Sequence, residues 1–472
     1  MAICFGLLAM YGNTQTNKAV FLNLSDIHFN PYYDPSLTKK LMSSDASQWQ
    51  SIFETSAIKT YSTYGQDCNY PLLISLIKNM QARLAKPDYM IITGDFLCHN
   101  FQSQFTTCSG ISYQADSAQQ FAPCHSFIQK TMQFLAGLFT TYFPHVPVYA
   151  ALGNNDSYCG DYLVQPDGAF LSMLAAIWKP LLYTDSTISF DTYFPQDGYY
   201  SIQSAVNKKQ RMIILNTILF STSFNDPGSR QPYCTLENDG KDNDGPGLQE
   251  LAWLKKELDA CRAAGQKAWI IQHIPPGMNV FNTIPTSDTA CLQDSAYFMK
   301  PLFNDAYLTV LREYAGVIAG GMAGHYHMDD FRLVMDSTGT KAVSYLHVLP
   351  AVSPIYDNNP GYETVHYDRA AAKLLDYTVY YTDVSDTAIK KPWAQEYNFA
   401  TTYRQPVITA ASLLAAHQLI GKDSAVANTY MRYYPVSYKV SWQQNMPYFR
   451  YYWCGMQYLT ATGFAACVCG KK

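Results

Sequence analysis

The stretch KAVFLNLSDIH (18–28) joins a run of strand-forming residues to an aspartate and a histidine that are two positions apart. A short apolar run rich in Val, Phe and Leu predicts a buried strand. Asp26 and His28 then lie at its carboxyl end, where α/β folds assemble their sites. Alone, this pair is a weak signal, because an aspartate capping a turn beside a core histidine has the same pattern. We therefore expect an α/β protein and look for further motifs of this kind.

The same arrangement occurs four more times along the chain. Gly94-Asp95 with His99 follows DYMIIT (88–93), Gly153-Asn154-Asn155-Asp156 follows VPVYAAL (146–152), His273 follows KAWIIQ (267–272), and His325 and His327 follow AGVIAGG (315–321). Carboxylate and amide oxygens mixed with neutral imidazoles suit zinc, manganese or iron better than calcium or magnesium. A ligand set of this size with one shared carboxylate is sufficient for two metal ions, the usual device for phosphoryl transfer to water.

The remaining patterns divide the chain into three parts. Helical spacing in 71–85 and in most of 114–142, a hairpin in 199–217, a helix marked by Leu248, Leu251, Leu254 and Leu258, and a strand-rich stretch over 331–381 complete an α/β domain at 18–387. Residues 388–472 predict a small helical, cysteine-containing subdomain. Alternating strands and helices followed by strands favour two sheets packed face to face with helices outside.

Composition limits the function and the compartment. Charged residues make up 15% of the chain, against about 25% in an average protein. The net charge is −4 and the densest basic cluster is KKQR (208–211), so a long nucleic acid is not an expected partner. Twelve cysteines without a paired CxxC array favour disulfides in an oxidising compartment over a cysteine zinc site. Their pairing stays open.

The N-terminal segment 1–17 is interpreted as a signal peptide or an N-terminal extension. Its apolar run, residues 2–11, is too short to span a membrane and lacks the basic residues that open a signal peptide, so a buried strand is the alternative. No other stretch reaches transmembrane length. The polar loop NDGKDNDGPG (238–247) is read as a surface loop, because Lys and Asp occupy positions where a calcium loop needs an oxygen ligand and a glycine.

Taken in order, the motifs D-x-H, G-D-x-x-x-H, G-N-N-D, H-I-P-P-G and G-H-x-H resemble the calcineurin-like metallophosphoesterase superfamily. Three details are similar to its acid sphingomyelinase-like phosphodiesterase branch: His99 four residues after Asp95, the HIPPG turn, and NNPGYETVHYD (358–368). The resemblance covers roughly residues 18–385. It implies a β-sandwich flanked by helices, with a small helical subdomain at the C-terminus.

The resemblance also implies a ligand set. The matching positions are Asp26, His28, Asp95 and His327 for one ion, and Asp95, Asn154, His273 and His325 for the other. Two divalent cations are expected, zinc in the first place, with manganese or iron as alternatives. By the same resemblance a hydroxide between the ions would be the nucleophile, and His99 would lie beside the phosphate as a proton donor or as a stabiliser of charge.

One position departs from the family pattern. The family reads G-N-H-D or G-N-H-E, whereas this chain has Asn155 in place of the second histidine. An amide can donate a hydrogen bond to a phosphoryl oxygen but cannot transfer a proton. Either His99 alone is the acid, or the leaving group needs none. Cys98 stands where purple acid phosphatases have a tyrosine ligand, which argues against that family; Cys98 is interpreted as structural or disulfide-bonded.

The function implied is an exported, monomeric phosphodiesterase acting on nucleotide-type or other small phosphodiesters and phosphoanhydrides. The runner-up is a sphingomyelin phosphodiesterase, because the aromatic tail 431–453 could bind a lipid surface, although packing within the subdomain is the favoured role for that tail. A rival of another class is a binding or surface protein that kept the fold and lost turnover, which only Asn155 favours.

Overall fold

The computed structural model describes residues 18–111, 121–184, 186–224, 244–285, 291–293, 296–386 and 390–470. The segment 1–17, predicted to be a signal peptide or an N-terminal extension, lies outside these ranges, as do residues 114–120 of the helical stretch predicted within 114–142 and residues 238–243 of the predicted surface loop.

Twelve strands of the described chain form two six-stranded sheets. They are β1 (Lys18–Leu24), β2 (Met90–Ile92), β3 (Val148–Ala150), β4 (Tyr200–Gln203), β5 (Gln210–Ile214), β6 (Lys267–Ile271), β7 (Ile318–Ala323), β8 (Asp330–Met335), β9 (Ala342–Val348), β10 (Gly361–Asp368), β11 (Lys373–Tyr381) and β12 (Ala394–Asn398). The first sheet has the order β12-β11-β10-β1-β2-β3 and the second the order β4-β5-β6-β7-β9-β8.

The two sheets pack face to face through large aromatic side chains. Trp269 on β6 meets Phe21 on β1 edge to face at a centroid distance of 5.4 Å. Its buried indole N–H donates to the carbonyl of Ala372, so the polar atom of this side chain is satisfied. At the other edge, the hydroxyl of Tyr200 on β4 donates to the carbonyl of Ala150 on β3. The predicted β-sandwich is confirmed.

Helices cover the outer faces of the sheets. They are α1 (Thr38–Ser43), α2 (Trp49–Glu54), α3 (Tyr70–Arg83), α4 (Phe101–Ser109), α5 (Ala122–Tyr142), α6 (Ala169–Trp178), α7 (Ile188–Asp197), α8 (Gly245–Ala263), α9 (Val280–Thr283) and α10 (Pro301–Glu313), followed by α11 (Phe399–Thr402), α12 (Ala410–Lys422), α13 (Ser424–Tyr433), α14 (Lys439–Asn445), α15 (Phe449–Gln457) and α16 (Ala461–Cys469). The helix predicted over 71–85 is α3, which Asn69 caps by accepting a hydrogen bond from the Leu72 N–H.

Parallel pairing brings the functional motifs to one edge of the sandwich. β1, β2 and β3 are parallel neighbours in the first sheet, and β6 and β7 are parallel neighbours in the second. Their carboxyl ends therefore point the same way within each sheet, and the loops that follow them meet. The N–H of Asp26 donates to the carbonyl of Gly94 at 3.1 Å, and the N–H of Gly324 donates to the carbonyl of His273 at 2.9 Å.

The C-terminal region is tied to the sandwich at several points. β12 lies beyond the boundary that the sequence placed at residue 388, and it forms the edge of the first sheet by pairing with β11. Among the described residues, the disulfide Cys454–Cys467 joins α15 to α16, and the disulfide Cys291–Cys469 ties α16 to the segment between α9 and α10. Cys98 is a buried free thiol. Within the described ranges, none of the helices has the length and apolar character needed to cross a bilayer.

Candidate metal centre

The loops that carry the predicted ligands have an unusual backbone conformation. Five of the residues predicted as ligands have φ between 41° and 69°: Asp26, His28, Asp95, His325 and His327. This left-handed region is sparsely populated by residues other than glycine and is often found at functional sites. Gly94, with φ 105°, has no room for a side chain, because a Cβ there would lie 2.6 Å from the backbone nitrogen of Gly153.

A first group of buried donor atoms comprises Asp26, His28 and His327. Nδ1 of His28 donates a hydrogen bond to the carbonyl of Leu97 at 3.0 Å. Nε2 of the same ring is therefore unprotonated and free to coordinate. That Nε2 lies 3.1 Å from Nε2 of His327, which in turn is 3.4 Å from Oδ1 of Asp26. Imidazole nitrogens and a carboxylate oxygen therefore converge on one point, as the ligands of a metal ion do.

A second group comprises Asp95, His273 and Asn154. The Nδ1 atom of His273 donates to the carbonyl of Thr93 at 2.7 Å, so its Nε2 is the atom that faces the site. This Nε2 lies 2.8 Å from Oδ1 of Asn154 and 3.3 Å from Oδ2 of Asp95. Three acceptor atoms at this spacing require a positive charge between them, either a proton on His273 or a metal ion.

Asp95 contacts a histidine of each group. Its Oδ2 lies 3.3 Å from Nε2 of His28 and 3.3 Å from Nε2 of His273. The structure therefore places this carboxylate where the family pattern puts the bridging ligand. His325 is adjacent, with its ring centroid 5.1 Å from that of His273, but its Nε2 lies 3.3 Å from the hydroxyl of Tyr162. Six of the predicted ligands are thus in contact with one another, and His325 lies beside them.

The electrostatics of the site suit metal ligands. Burial lowers the pKa of His28 to about 4 and that of His325 to about 3, so both imidazoles are neutral near neutral pH and their nitrogens are free to coordinate. Burial raises the pKa of Asp26 to about 6. Burial disfavours the protonated form of His273, but the charge of Asp95 outweighs it and raises this pKa to about 9. Neutral imidazole nitrogens beside the carboxylates of Asp26 and Asp95 form a donor set that fits two divalent cations.

His99 lies at the mouth of the site and is held by a carboxylate. Its ring stacks on that of His28 at a centroid distance of 4.1 Å. Asp67 accepts two hydrogen bonds from it, one from the backbone N–H at 2.9 Å and one from Nδ1 at 2.9 Å. Burial disfavours the charged imidazole, yet the contact with Asp67 raises the pKa of His99 above its ordinary value. Nε2 faces outward, 3.3 Å from the hydroxyl of Tyr356.

Asn155 contacts the shared carboxylate. Its backbone N–H donates to Oδ1 of Asp95 at 2.8 Å, and its Nδ2 donates to Oδ2 of the same side chain at 3.0 Å. The buried Asp156 next to it accepts from the N–H groups of Phe96, Leu97 and Gly153, which joins the loop after β2 to the loop after β3. The predicted contact of Asn155 with a phosphoryl oxygen stays a prediction.

In a second cluster of potential metal ligands, two members form a direct ion pair that leaves no space for a metal ion between them. Asp329, His347 and Glu363 are buried together between the sheets. Nε2 of His347 lies 2.6 Å from Oε1 of Glu363, and Oε2 of Glu363 accepts a hydrogen bond from Asn23. A spacing of 2.6 Å fits a hydrogen bond and is too short for a metal ion between the two atoms. His347, interpreted from the sequence as a surface or core histidine, is a core residue.

Several residues of the site were missed in the sequence. They are Asp67, Asp161, Tyr162 and Tyr356, which contact His99, Asn154, His325 and His99, respectively. They come from loops without regular periodicity, and Asp67 precedes its partner by 32 residues. The ligand motifs were the one signal that such residues exist, because metal ligands usually have an outer hydrogen-bond partner that fixes their orientation. The motifs do not indicate where in the chain that partner lies.

Comparison with known proteins shows that two family descriptions match this chain. Residues 19–327 match the description "Calcineurin-like phosphoesterase", and residues 341–472 match "Acid sphingomyelin phosphodiesterase C-terminal region". The chain is similar to acid sphingomyelinase-like phosphodiesterase 3b of Mus musculus, with 26% identity over 98% of this chain and 92% of that protein. It is also similar to cyclic GMP-AMP phosphodiesterase SMPDL3A of Bos taurus, with 28% identity over 89% of this chain and 84% of that protein. Sphingomyelinase phosphodiesterase C of Dictyostelium discoideum is 26% identical over 89% of this chain and 85% of its own length.

Proposed function

Since the chain belongs to the calcineurin-like phosphoesterase family, we propose that it is an exported phosphodiesterase that hydrolyses small phosphodiesters at a two-metal centre. The observation that carries this proposal is the convergence of the two donor groups on Asp95. We assign one ion to Asp26, His28, Asp95 and His327, and the other to Asp95, Asn154, His273 and His325. Zinc is the metal we propose, because imidazoles supply most of the ligand atoms.

The protein's part in the reaction is to hold these donors and to move a proton. Two divalent cations bound here would neutralise the phosphoryl charge and lower the pKa of a water molecule. Asn155 holds both oxygens of Asp95, so the shared carboxylate cannot rotate away from the site. The Ser25 hydroxyl donates a hydrogen bond to Asp26 and accepts one from the Thr93 hydroxyl, which fixes the orientation of the Asp26 carboxylate.

His99 is the proton donor in this proposal. Asp67 accepts a hydrogen bond from Nδ1–H, so the protonated ring presents Nε2–H to the mouth of the site, where a leaving oxygen would lie. The raised pKa keeps the ring protonated at higher pH than a free histidine. Because Asn155 is occupied by Asp95 and cannot carry a proton, His99 is the acid that the site offers to the leaving group.

For the substrate we propose nucleotide-type phosphodiesters or phosphoanhydrides. Tyr356 is 53% exposed, and its ring meets that of His327 edge to face at 4.6 Å, so an aromatic surface stands beside the site on which a planar base could stack. In the aromatic tail, Tyr434 and Tyr452 are buried and contact each other at 4.9 Å. This supports packing rather than lipid binding as the role of the tail. The name of the bovine relative, a cyclic GMP-AMP phosphodiesterase, points in the same direction.

Sphingomyelin hydrolysis is the second candidate. It is favoured by the name of the Dictyostelium relative and by the match of residues 341–472 to the C-terminal region of acid sphingomyelin phosphodiesterases. The exposed Phe281, at 70%, lies on α9, which follows the loop of His273, and could contact a lipid chain.

A substrate panel with metal analysis tests the proposal. Purified protein would be assayed on bis-p-nitrophenyl phosphate, cyclic GMP-AMP, ATP, CDP-choline and sphingomyelin, with and without detergent, before and after chelation. We expect two equivalents of metal, turnover of the soluble diesters, and loss of turnover on chelation that zinc restores. Release of phosphocholine from sphingomyelin alone would favour the second candidate. Bound metal without turnover of any ester at any pH would identify a binding protein and refute the enzyme.

A further inference from the structure

We propose that Asp161 is the positioning residue of the second metal ion: its carboxylate fixes the Asn154 amide and adds the negative charge that this half of the centre lacks. The inference rests on the proposed function, because it assumes that Asn154 is a ligand. Nothing in the motif series points to Asp161, which lies seven residues after Asn154 in the chain.

The hydrogen bond from Asn154 to Asp161 fixes whether the oxygen or the NH₂ group of the Asn154 amide faces the site. Oδ1 of Asp161 accepts a hydrogen bond from Nδ2 of Asn154 at 2.6 Å. This contact directs the amide oxygen towards Nε2 of His273, at 2.8 Å. If the amide turned over, its oxygen would face the carboxylate and its NH₂ group would face the metal position. Only the oxygen can coordinate a cation, so the carboxylate selects the competent orientation.

Asp161 also balances the charge of the two halves. The first ion would have Asp26 as its own carboxylate in addition to the shared Asp95. The second would have only neutral ligands of its own, Asn154, His273 and His325. An aspartate hydrogen-bonded to one of them supplies an anion to this half without occupying a coordination position. A carboxylate bonded to a ligand also makes that ligand a stronger donor.

The backbone holds Asp161 against Asn154. The N–H of Tyr162 donates to the carbonyl of Asn154 at 2.9 Å, and the N–H of Leu163 donates to the carbonyl of Gly160 at 3.2 Å. Tyr162 has φ 58°, a rare conformation for a bulky residue, and its hydroxyl lies 3.3 Å from Nε2 of His325. The segment thus returns to the site and places two successive side chains on two ligands of the second ion.

Calorimetric titration of the metal-free protein with Zn²⁺ alone tests the assignment without any substrate. We expect two binding events in the wild type. In Asp161→Ala the second event should weaken by about 10–100-fold while the first keeps its affinity. Asp161→Asn keeps an oxygen acceptor but loses the charge, so its second event should be intermediate. Asp167→Asn is the matched control, since Asp167 is an exposed aspartate six residues further along the same segment and its N–H donates a hydrogen bond to the carbonyl of Gln196.

The outcomes separate this inference from the proposed function. Asp161 is exposed, so the metal-free Asp161→Ala variant should unfold at the same temperature as the metal-free wild type, and zinc should raise that temperature less in the variant. Two events of wild-type affinity in both Asp161 variants would overturn the positioning role. A metal-free variant that is itself destabilised and binds neither ion would assign Asp161 to the fold. A wild type that binds no metal would overturn the metal centre, and the role of Asp161 with it.

Discussion

Replacing Asp67 by asparagine should move the alkaline limb of the pH–rate profile to lower pH. Both oxygens of Asp67 accept hydrogen bonds from His99, each at 2.9 Å, and this contact raises the pKa of the imidazole. Asparagine has the same shape but only one acceptor and no charge. A hydrogen bond to a charged group contributes about 1.5–3 kcal/mol, so losing the charge of Asp67 should lower the pKa of His99.

The sign follows from the role of His99 as an acid. It must carry a proton to act, so activity is lost as the pH rises through its pKa, and lowering that pKa moves the loss to lower pH. On the alkaline side of that pKa, hydrolysis of a diester with an alkyl leaving group should fall by about 10–100-fold, the factor that corresponds to about 1.5–3 kcal/mol. A p-nitrophenyl ester should be affected little, because its leaving group needs no proton.

The assay is kcat/KM for both esters from about pH 4 to about pH 9. Ser353→Ala is the control, since the Ser353 hydroxyl lies 3.4 Å from Oδ1 of Asp67 and does not contact the imidazole. An alkaline limb that stays in place, or an equal loss on both esters, would show that Asp67 does not tune an acid at His99.

Three further changes probe the shared carboxylate, the buried ion pair and the close approach of two loops. Asp95→Asn should remove both metal ions rather than one, because its Oδ2 is 3.3 Å from a nitrogen of each group; elemental analysis that finds one ion retained would contradict a shared ligand. Glu363→Gln should lower the free energy of unfolding by about 3–5 kcal/mol, because buried His347 loses its partner. Burial disfavours the charged form of His347, yet Glu363 raises its pKa above 6.5, so this stabilisation is complete below pH 6.5 and is lost as the pH rises through the folded pKa. Urea unfolding should therefore show a larger difference at about pH 5 than at about pH 9, and equal differences would refute the linkage. Gly153→Ala should abolish metal binding, since the new Cβ would overlap the Asp95 carboxylate, whereas Gly316→Ala, where the space is open, should bind metal normally.

The sequence predicted the strands and brought forward the candidate ligands together, because both signals are local. Each ligand lies within a few residues of the end of an apolar run, as Asp26 does after β1 and His273 after β6. Parallel strands then carry these positions to the same edge. The β-sandwich followed from the same order of elements, together with the family resemblance.

The outer partners of the ligands could not be predicted, because they depend on the path of loops through space. Asp161 reaches Asn154 only because the segment between them turns back, and no periodic pattern encodes that turn. The disulfide between Cys291 and Cys469 joins residues 178 positions apart, and nothing near either cysteine indicates its partner. The sequence does not predict β12 either, since its five residues, AQEYN, lack a regular alternation of apolar and polar side chains.

Glycine would remove the steric strain of a positive φ, because it adopts this conformation without conflict. The strain is present at Asp26, His28, Asp95, His325 and His327. A non-glycine residue in this region costs on the order of 1 kcal/mol, although glycine would in turn stabilise the unfolded chain by about 0.4–1 kcal/mol through its greater conformational entropy. The chain nonetheless keeps a carboxylate or an imidazole at all five. Backbone strain at five positions that all carry a carboxylate or an imidazole is the pattern expected of a functional site, where strain is tolerated for the chemistry of the side chains.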